Sequence, residues 1–266
     1  MSEIFKYPRT QHIEGSGIQR GDEDLSVVPL REFAGRFLVV EEKMDGANSA
    51  ISFSADGRLQ LQSRGHYLVG GERERQFHLL KTWAHRYTLE LQEVLMDRYV
   101  LYGEWLYAKH TVFYTDLPHY FMEFDILDKI NGDFLSTERR RVFLRQLPFV
   151  VSVKVLQEGP VNSMQALKNL VGPSFFIHRD QKQLLHKICT ERGLSSERTL
   201  RETDTSGLME GLYIKVEEDG VVKERYKYVR NGFLQAVFDS ESHWMDRPLL
   251  PNCLAPGREL FSEKWI

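Results

Sequence analysis

Residues 36–63, RFLVVEEKMDGANSAISFSADGRLQLQS, read as strand, loop and hairpin. Arg36 to Val40 is rich in Phe, Leu and Val. Ile51 and Phe53 alternate with serines, Asp56-Gly57 is a turn pair, and Leu59 and Leu61 alternate with Gln60 and Gln62. The stretch KMDGAN, residues 43–48, therefore sits between two strands as a loop at a sheet end. It places a lysine, a carboxylate and a glycine side by side where backbone can approach a ligand.

Outward from that loop, Phe77, Leu80, Trp83, Ala84, Tyr87, Leu91, Val94 and Leu95 recur at three- and four-residue spacing, which predicts an amphipathic helix from Glu72 to about Met96. Strands are predicted at Tyr99 to Trp105 and Tyr120 to Leu127, the second ending in an Asn131-Gly132 turn. Thr137 to Gln146, Met164 to Leu170 and Leu184 to Arg192 read as helices of an insertion over about 137–200. Leu212 to Val216 and Val221 to Val229 form a last hairpin around Asp219-Gly220. Pro248, Pro251 and Pro256 make long regular structure unexpected in the tail. The expected class is α+β, dominated by antiparallel strands with peripheral helices.

Composition narrows the function classes. With 42% hydrophobic and 27% charged residues over 266 positions, the chain is an ordinary globular sequence. A formal net charge of −3 argues against holding nucleic acid by overall basicity, so any polyanion site must be local. Cys189 and Cys253, far apart, support neither a disulfide framework nor a thiolate zinc site. The first thirty residues are too charged for a signal peptide or a membrane span, so a cytoplasmic protein is expected. Neither a GxxxxGK[ST] loop nor a GxGxxG turn is present, so a nucleotide would be bound by other means.

KMDGAN is followed in order by QSRG (62–65), YGEWLYAKH (102–110), YFMEFDILD (120–128), MEGLYIKV (209–216) and ERYKYVR (224–230), each in a predicted strand or at a strand end. The series resembles the covalent nucleotidyltransferase superfamily of polynucleotide ligases and capping enzymes, most closely the RNA ligases of the type 2 group, over about residues 36–230. The resemblance implies an antiparallel-sheet nucleotidyltransferase fold, the ATP-grasp-like ligase adenylation domain. It would span residues 1–235 and be followed by a short tail, 236–266, in place of an OB-fold domain.

The resemblance also implies roles. Lys43 matches the lysine that attacks the α-phosphorus of ATP to give a lysyl-AMP. That amine must be unprotonated, and cations at Arg64, Lys215 and Lys227 with a bound Mg²⁺ or Mn²⁺ would depress its pKa and neutralise phosphate charge. Glu104 matches the ribose contact, Phe121 the aromatic that stacks on adenine, with Phe124 then core, and Glu210 the metal carboxylate. Glu42 stands where it could read the adenine edge. Asn48 and Arg225 would engage the substrate end. Lys227 matches the second lysine of a KxK motif whose first position is Arg225 here, a planar fork in place of a point charge. The implied reaction moves AMP to a 5′-phosphate RNA end and seals it to a 3′-hydroxyl, as RNA repair, with an end-processing kinase or phosphatase as a candidate partner. An ATP-dependent DNA ligase, a capping guanylyltransferase and a nucleic-acid-binding protein that has lost catalysis are the alternatives.

Overall fold

The computed structural model describes residues 4–18, 21–240 and 247–261. Among them are twelve strands and seven α-helices. The strands are β1 (Gln11–Ile13), β2 (Val27–Val28), β3 (Leu38–Lys43), β4 (Ala47–Phe53), β5 (Leu59–Ser63), β6 (Tyr99–Trp105), β7 (Phe121–Asp128), β8 (Asp133–Phe134), β9 (Val151–Ser152), β10 (Val155–Gly159), β11 (Gly211–Glu218) and β12 (Val221–Val229). The helices are α1 (His78–Arg86), α2 (Thr88–Leu95), α3 (Thr137–Leu144), α4 (Met164–Lys168), α5 (Gln181–Glu191), α6 (Ser196–Arg201) and α7 (Asn231–Asp239).

The strands form two six-stranded sheets. One runs β10-β3-β11-β12-β1-β2; the other runs β5-β4-β6-β7-β8, with β9 added beside β7. Pairing is antiparallel except for β1 with β12, β1 with β2 and β7 with β9. This is the α+β, antiparallel-dominated class with peripheral helices that the sequence predicts. The hairpins close where expected: Gly57, Gly132 and Gly220 take φ of 77°, 73° and 75°, and Asp219 precedes the last at φ 53°.

The loop in KMDGAN has a larger role than a turn within one sheet. Lys43 is the last residue of β3 and Ala47 the first of β4, and these strands belong to different sheets. Three residues, Met44 to Gly46, thus carry the chain from one sheet to the other.

Each sheet packs its outward face in its own apolar layer. Leu38, Val40, Leu212, Ile214 and Tyr226 join Leu167 of α4 on one; Ile51, Phe53, Leu101 and Ile126 join Trp83, Leu91 and Leu95 of α1 and α2 on the other. The helix expected over Glu72 to Met96 is broken. A 3-10 stretch, Glu72–Phe77, leads into α1, and Tyr87 caps α1 with φ −101° and ψ 23° before α2 begins. The apolar spacing survives the break because Leu80, Trp83, Ala84, Leu91 and Leu95 all stay buried.

The segment 137–200 is not purely helical either. It contains β9 and β10, the latter forming the edge of the first sheet beside β3. Residue 235, the expected domain boundary, falls inside α7. Among the described residues no helix is long and apolar enough to cross a membrane.

Candidate active site

Alternation along β3, β11 and β12 turns one set of side chains away from the outer layer. Leu38 and Val40, Leu212 and Ile214, and Tyr226 pack outward, so Glu41 and Lys43, Tyr213 and Lys215, and Arg225 and Lys227 face the second sheet. The space between the sheets is consequently rich in charge, beside an apolar cluster that includes Tyr7, Ala50, Tyr102 and Phe124, and at one end it opens as a cleft lined by Lys43, Glu42, Glu104, Glu210, Asn48, Arg64 and Lys227.

The inter-sheet loop is fixed in place around Lys43. Asp45 Oδ2 accepts the backbone N–H groups of Thr111 and Val112, each at 2.7 Å, and its own N–H donates to the Tyr114 hydroxyl at 2.8 Å. A Cβ on Gly46 would come within 2.7 Å of the Trp105 carbonyl oxygen and of Leu106 Cδ2. Only glycine fits that close pass.

Lys43 Nζ lies 2.8 Å from the Glu210 carboxylate. Glu210 immediately precedes β11, whose first residue, Gly211, pairs with Lys43. Burial pulls the Lys43 ammonium down, but Glu210, Glu104 and Asp45 outweigh it and hold the group above the usual lysine value. Burial in turn pushes Glu104 up to about 8 and Glu210 up to about 7, with Lys43 opposing both. The expected depression of the Lys43 pKa by neighbouring cations is therefore reversed. Its near neighbours are carboxylates, while Lys215 is engaged elsewhere.

That engagement forms the floor of the cleft. Lys215, with no exposed surface, lies 3.0 Å from Glu41 and 3.2 Å from Asp125 and donates to the Phe124 carbonyl. Arg140 of α3 reaches Glu123 at 2.8 Å and Glu41 at 3.1 Å, and Arg225 reaches Asp125 at 3.1 Å while stacking over Phe134. Three cations thus oppose Glu41, Glu123 and Asp125 in a buried network in which each charge is compensated. Lys215 and Arg225, expected at the nucleotide and the substrate end, do not line the cleft; they hold the two sheets together beneath it.

On β7 the aromatic that meets the cleft is not the expected one. Phe121 is fully buried in the outer layer, stacked on Trp83 with ring centroids 5.6 Å apart, whereas Phe124 lines the cleft. Phe121 pairs with Trp105, another side chain of that outer layer, and Phe124, three residues on, falls on the opposite face, at a bulge. Tyr102 pairs with Asp125 and Gly103 with Glu123, leaving Phe124 as the unpaired extra residue. Alternation is reset there, so Phe124 and Asp125 both face inward and Ile126 shares the outer face with Phe121.

The remaining expected residues lie at the rim and walls. Arg64 is exposed on the turn after β5, and Asn48 pairs with Glu104 across β4 and β6. Glu42 is buried. Its carboxylate accepts the Ser174 hydroxyl at 2.5 Å and the Phe175 N–H at 3.4 Å, and burial raises its pKa to about 7 despite both. Lys227 donates to Asp22 at 2.5 Å. Asp22 was not singled out from the sequence, nor were Tyr7 and Thr10, which also line the cleft, nor Lys109, which lines it with Nζ donating to the His110 and Glu202 carbonyls at 3.1 and 2.8 Å. Burial brings the Lys109 ammonium down to about 7, with Arg247 adding to the effect.

Glu210, Glu104 and Asp45 give the cleft an excess of hard oxygen donors, the chemistry that suits Mg²⁺ or Mn²⁺. Among the described residues no set of three or more His, Cys, Asp or Glu side chains is arranged to hold a metal by itself. The donor set fits a cation held by one or two carboxylates plus ligand phosphate and water, not a resident all-protein site.

A family model described as RNA ligase matches residues 36–229. No relative is found among the curated proteins. The similar solved structures include Naegleria gruberi RNA ligase in several forms. A glutamate-to-alanine mutant with ATP and Mn is 19% identical at a TM-score of 0.51, covering 77% of this chain and 53% of that one. A lysine-to-alanine mutant with ATP and Mn is 20% identical at a TM-score of 0.53, covering 79% and 54%. A lysine-to-methionine mutant with AMP and Mn is 19% identical at a TM-score of 0.52, with the same coverage. At such identities the likeness is one of fold. The chain spans about half the length of these structures.

Proposed function

The chain belongs to the RNA ligase family, and from that premise we propose that it is an ATP-dependent RNA ligase working through a lysyl-AMP on Lys43. The observation that carries this reading is the placement of Lys43 Nζ, 2.8 Å from Glu210 in a cleft shared with Glu104, Arg64 and Lys227. A strand-end lysine amid carboxylates, with cations facing it, is suited to attack a phosphate whose own charge and counter-ion offset those carboxylates.

In the first step Lys43 Nζ loses a proton, for which Glu210 is within hydrogen-bond reach. The amine attacks the α-phosphorus of ATP, the phosphoramidate N–P bond forms, and the bond to the pyrophosphate oxygen breaks. A 5′-phosphate RNA end then displaces Lys43 from AMP, and a 3′-hydroxyl attacks the activated end with release of AMP. A divalent cation, held through Glu210, would supply neutralisation of phosphate charge. Glu104 is the ribose contact. Phe124, and not Phe121, is the aromatic available to a base. Glu42 reads the adenine edge, Arg64 and Lys227 take phosphate oxygens, and Asn48 meets the substrate end. The adenylating unit runs from the amino terminus through α7.

RNA repair is the setting proposed, with an enzyme that leaves 5′-phosphate and 3′-hydroxyl ends acting first. The test is incubation of such RNA strands, beside DNA strands of the same sequence, with ATP and Mg²⁺. Sealed RNA that depends on ATP is the expected product. Sealing of DNA alone would move the reading to a DNA ligase, transfer of label from GTP to capping chemistry, and binding without any adduct to a nucleic-acid-binding protein.

A further inference from the structure

The segment before residue 36 lies outside the stretch the family model matches, yet Tyr7, Thr10 and Asp22 form part of the cleft wall. It is attached by β1, which pairs beside β12 with Gln11 opposite Tyr226 and His12 opposite Lys227. The loop carrying Asp22 is clamped by Arg9, which donates to the two Asp24 oxygens at 2.6 and 2.7 Å and to the Gly21 carbonyl at 2.7 Å.

Asp22 Oδ2 accepts from Lys227 Nζ at 2.5 Å and faces His12 Nε2 at 3.3 Å. His12 is fully buried, and its Nδ1 lies 2.8 Å from the Ser16 hydroxyl. That hydroxyl oxygen accepts the Val229 N–H at 2.9 Å, and its own proton has two acceptors in reach, Nδ1 and the Gly17 carbonyl at 3.2 Å. Because an ionised Asp22 only accepts, its contact with Nε2 puts the imidazole proton on Nε2, directed at Asp22. A hydrogen-bonded chain, Ser16 to His12 to Asp22, ends on the Lys227 ammonium.

The cleft then holds two sorted ion pairs, Lys43 with Glu210 and Lys227 with Asp22. Lys227 feels both Lys43 and Glu210. Without Asp22, Glu210 is a carboxylate left for Lys227 to compete for, and Lys43 would share it.

We propose that Asp22, oriented by His12, is a positioning residue for Lys227: it keeps this ammonium off Glu210 and yields it to the triphosphate of the incoming nucleotide. The inference rests on the reading of the cleft as an ATP site. Asp22 and the triphosphate compete for one cation, so removing the Asp22 charge should tighten nucleotide binding while misplacing the cation for chemistry. A purely structural role predicts the opposite pairing, weaker binding with the saturated rate unchanged.

The test uses the full chain with Mg²⁺. Nucleotide affinity is measured by calorimetry with Lys43 intact and α,β-methylene-ATP, whose bridging carbon blocks adduct formation while Lys43 stays paired with Glu210, and the single-turnover rate of adduct formation is measured at saturating ATP. Asp22→Asn is expected to lower the nucleotide Kd and to slow the saturated rate, each by about tenfold, the scale of one charge-assisted hydrogen bond. His12→Ala should move both in the same direction, and His12→Gln, which keeps a donor, should restore much of the rate. Unchanged or weaker affinity, or an unchanged saturated rate, in Asp22→Asn would overturn the proposal. Should that variant not fold, the His12 pair decides, and equal rates for Ala and Gln overturn it. Wild type that binds ATP but forms no adduct defeats the ligase reading alone, and affinity then decides the role of Asp22. No ATP binding at all defeats both.

Discussion

At the scale of single residues the cleft stores unfavourable charge. Glu104 is pushed up to about 8 and Glu42 and Glu210 up to about 7, in each case by burial first. A carboxylate whose folded pKa lies above its ordinary value binds its proton more tightly folded than unfolded. Its contribution is therefore full below the ordinary value of 4.5 and is lost as pH rises toward the folded value. The nucleotide-free protein should lose thermal stability between about pH 5 and pH 8. Glu104→Gln should flatten that slope and raise Tm at pH 9 by several degrees, at about 2–4 °C for each kcal/mol in a chain this size, while impairing adenylation. Scanning calorimetry across pH checks it, and a Glu104→Gln protein with the wild-type slope would contradict it. Lys43, Glu104 and Glu210 were legible in the sequence because short ordered motifs carry them. Asp22 was not, because the contact that gives it a role is to Lys227, 205 positions away, and nothing local marks it.

At the scale of elements, turn chemistry was the most readable signal. Asp56-Gly57 and Asp219-Gly220 announce their hairpins because the tight turns need positive φ where glycine stands. The two-residue β9 and the polar β10, with Gln157 and Glu158 inside it, have too little apolar alternation to show as strands. FMEFDILD alternates plausibly in either register, so neither the bulge on β7 nor which of its phenylalanines meets the cleft was legible. The two should therefore separate on substitution. Phe121→Ala should destabilise the fold by about 3–5 kcal/mol, as for a large side chain removed from a packed core. Phe124→Ala should unfold at close to the wild-type temperature but raise the KM for ATP about tenfold, the size of one lost base stack. Equal losses of stability in both would refute the division of labour.

At the scale of the whole molecule, two sheets with separate apolar outer layers meet across a charged seam, and the cleft is where the seam opens. Fold class and most strands followed from the sequence; the seam did not, because the division of strands between sheets is set by long-range pairing. The amino-terminal arm completes the first sheet. Ile13, Leu30 and Phe33 are buried in its outer layer, with the Phe33 ring stacked on Tyr226 at 4.5 Å. A chain beginning at residue 36, where the family match starts, should lose cooperative unfolding and aggregate, although it keeps every motif. Circular dichroism and light scattering would show this, and a soluble truncated chain melting within a few degrees of the full one would contradict it.

The proposed chemistry turns on covalent adenylation of Lys43. Its most direct measurement is incubation of the full chain with α-labelled ATP and Mg²⁺, beside Lys43→Ala, followed by denaturing electrophoresis. A labelled band in the wild type, faster to form as pH rises because the cleft carboxylates hold the Lys43 ammonium up, and absent from the variant, is the predicted result. A labelled band that survives Lys43→Ala would contradict the account.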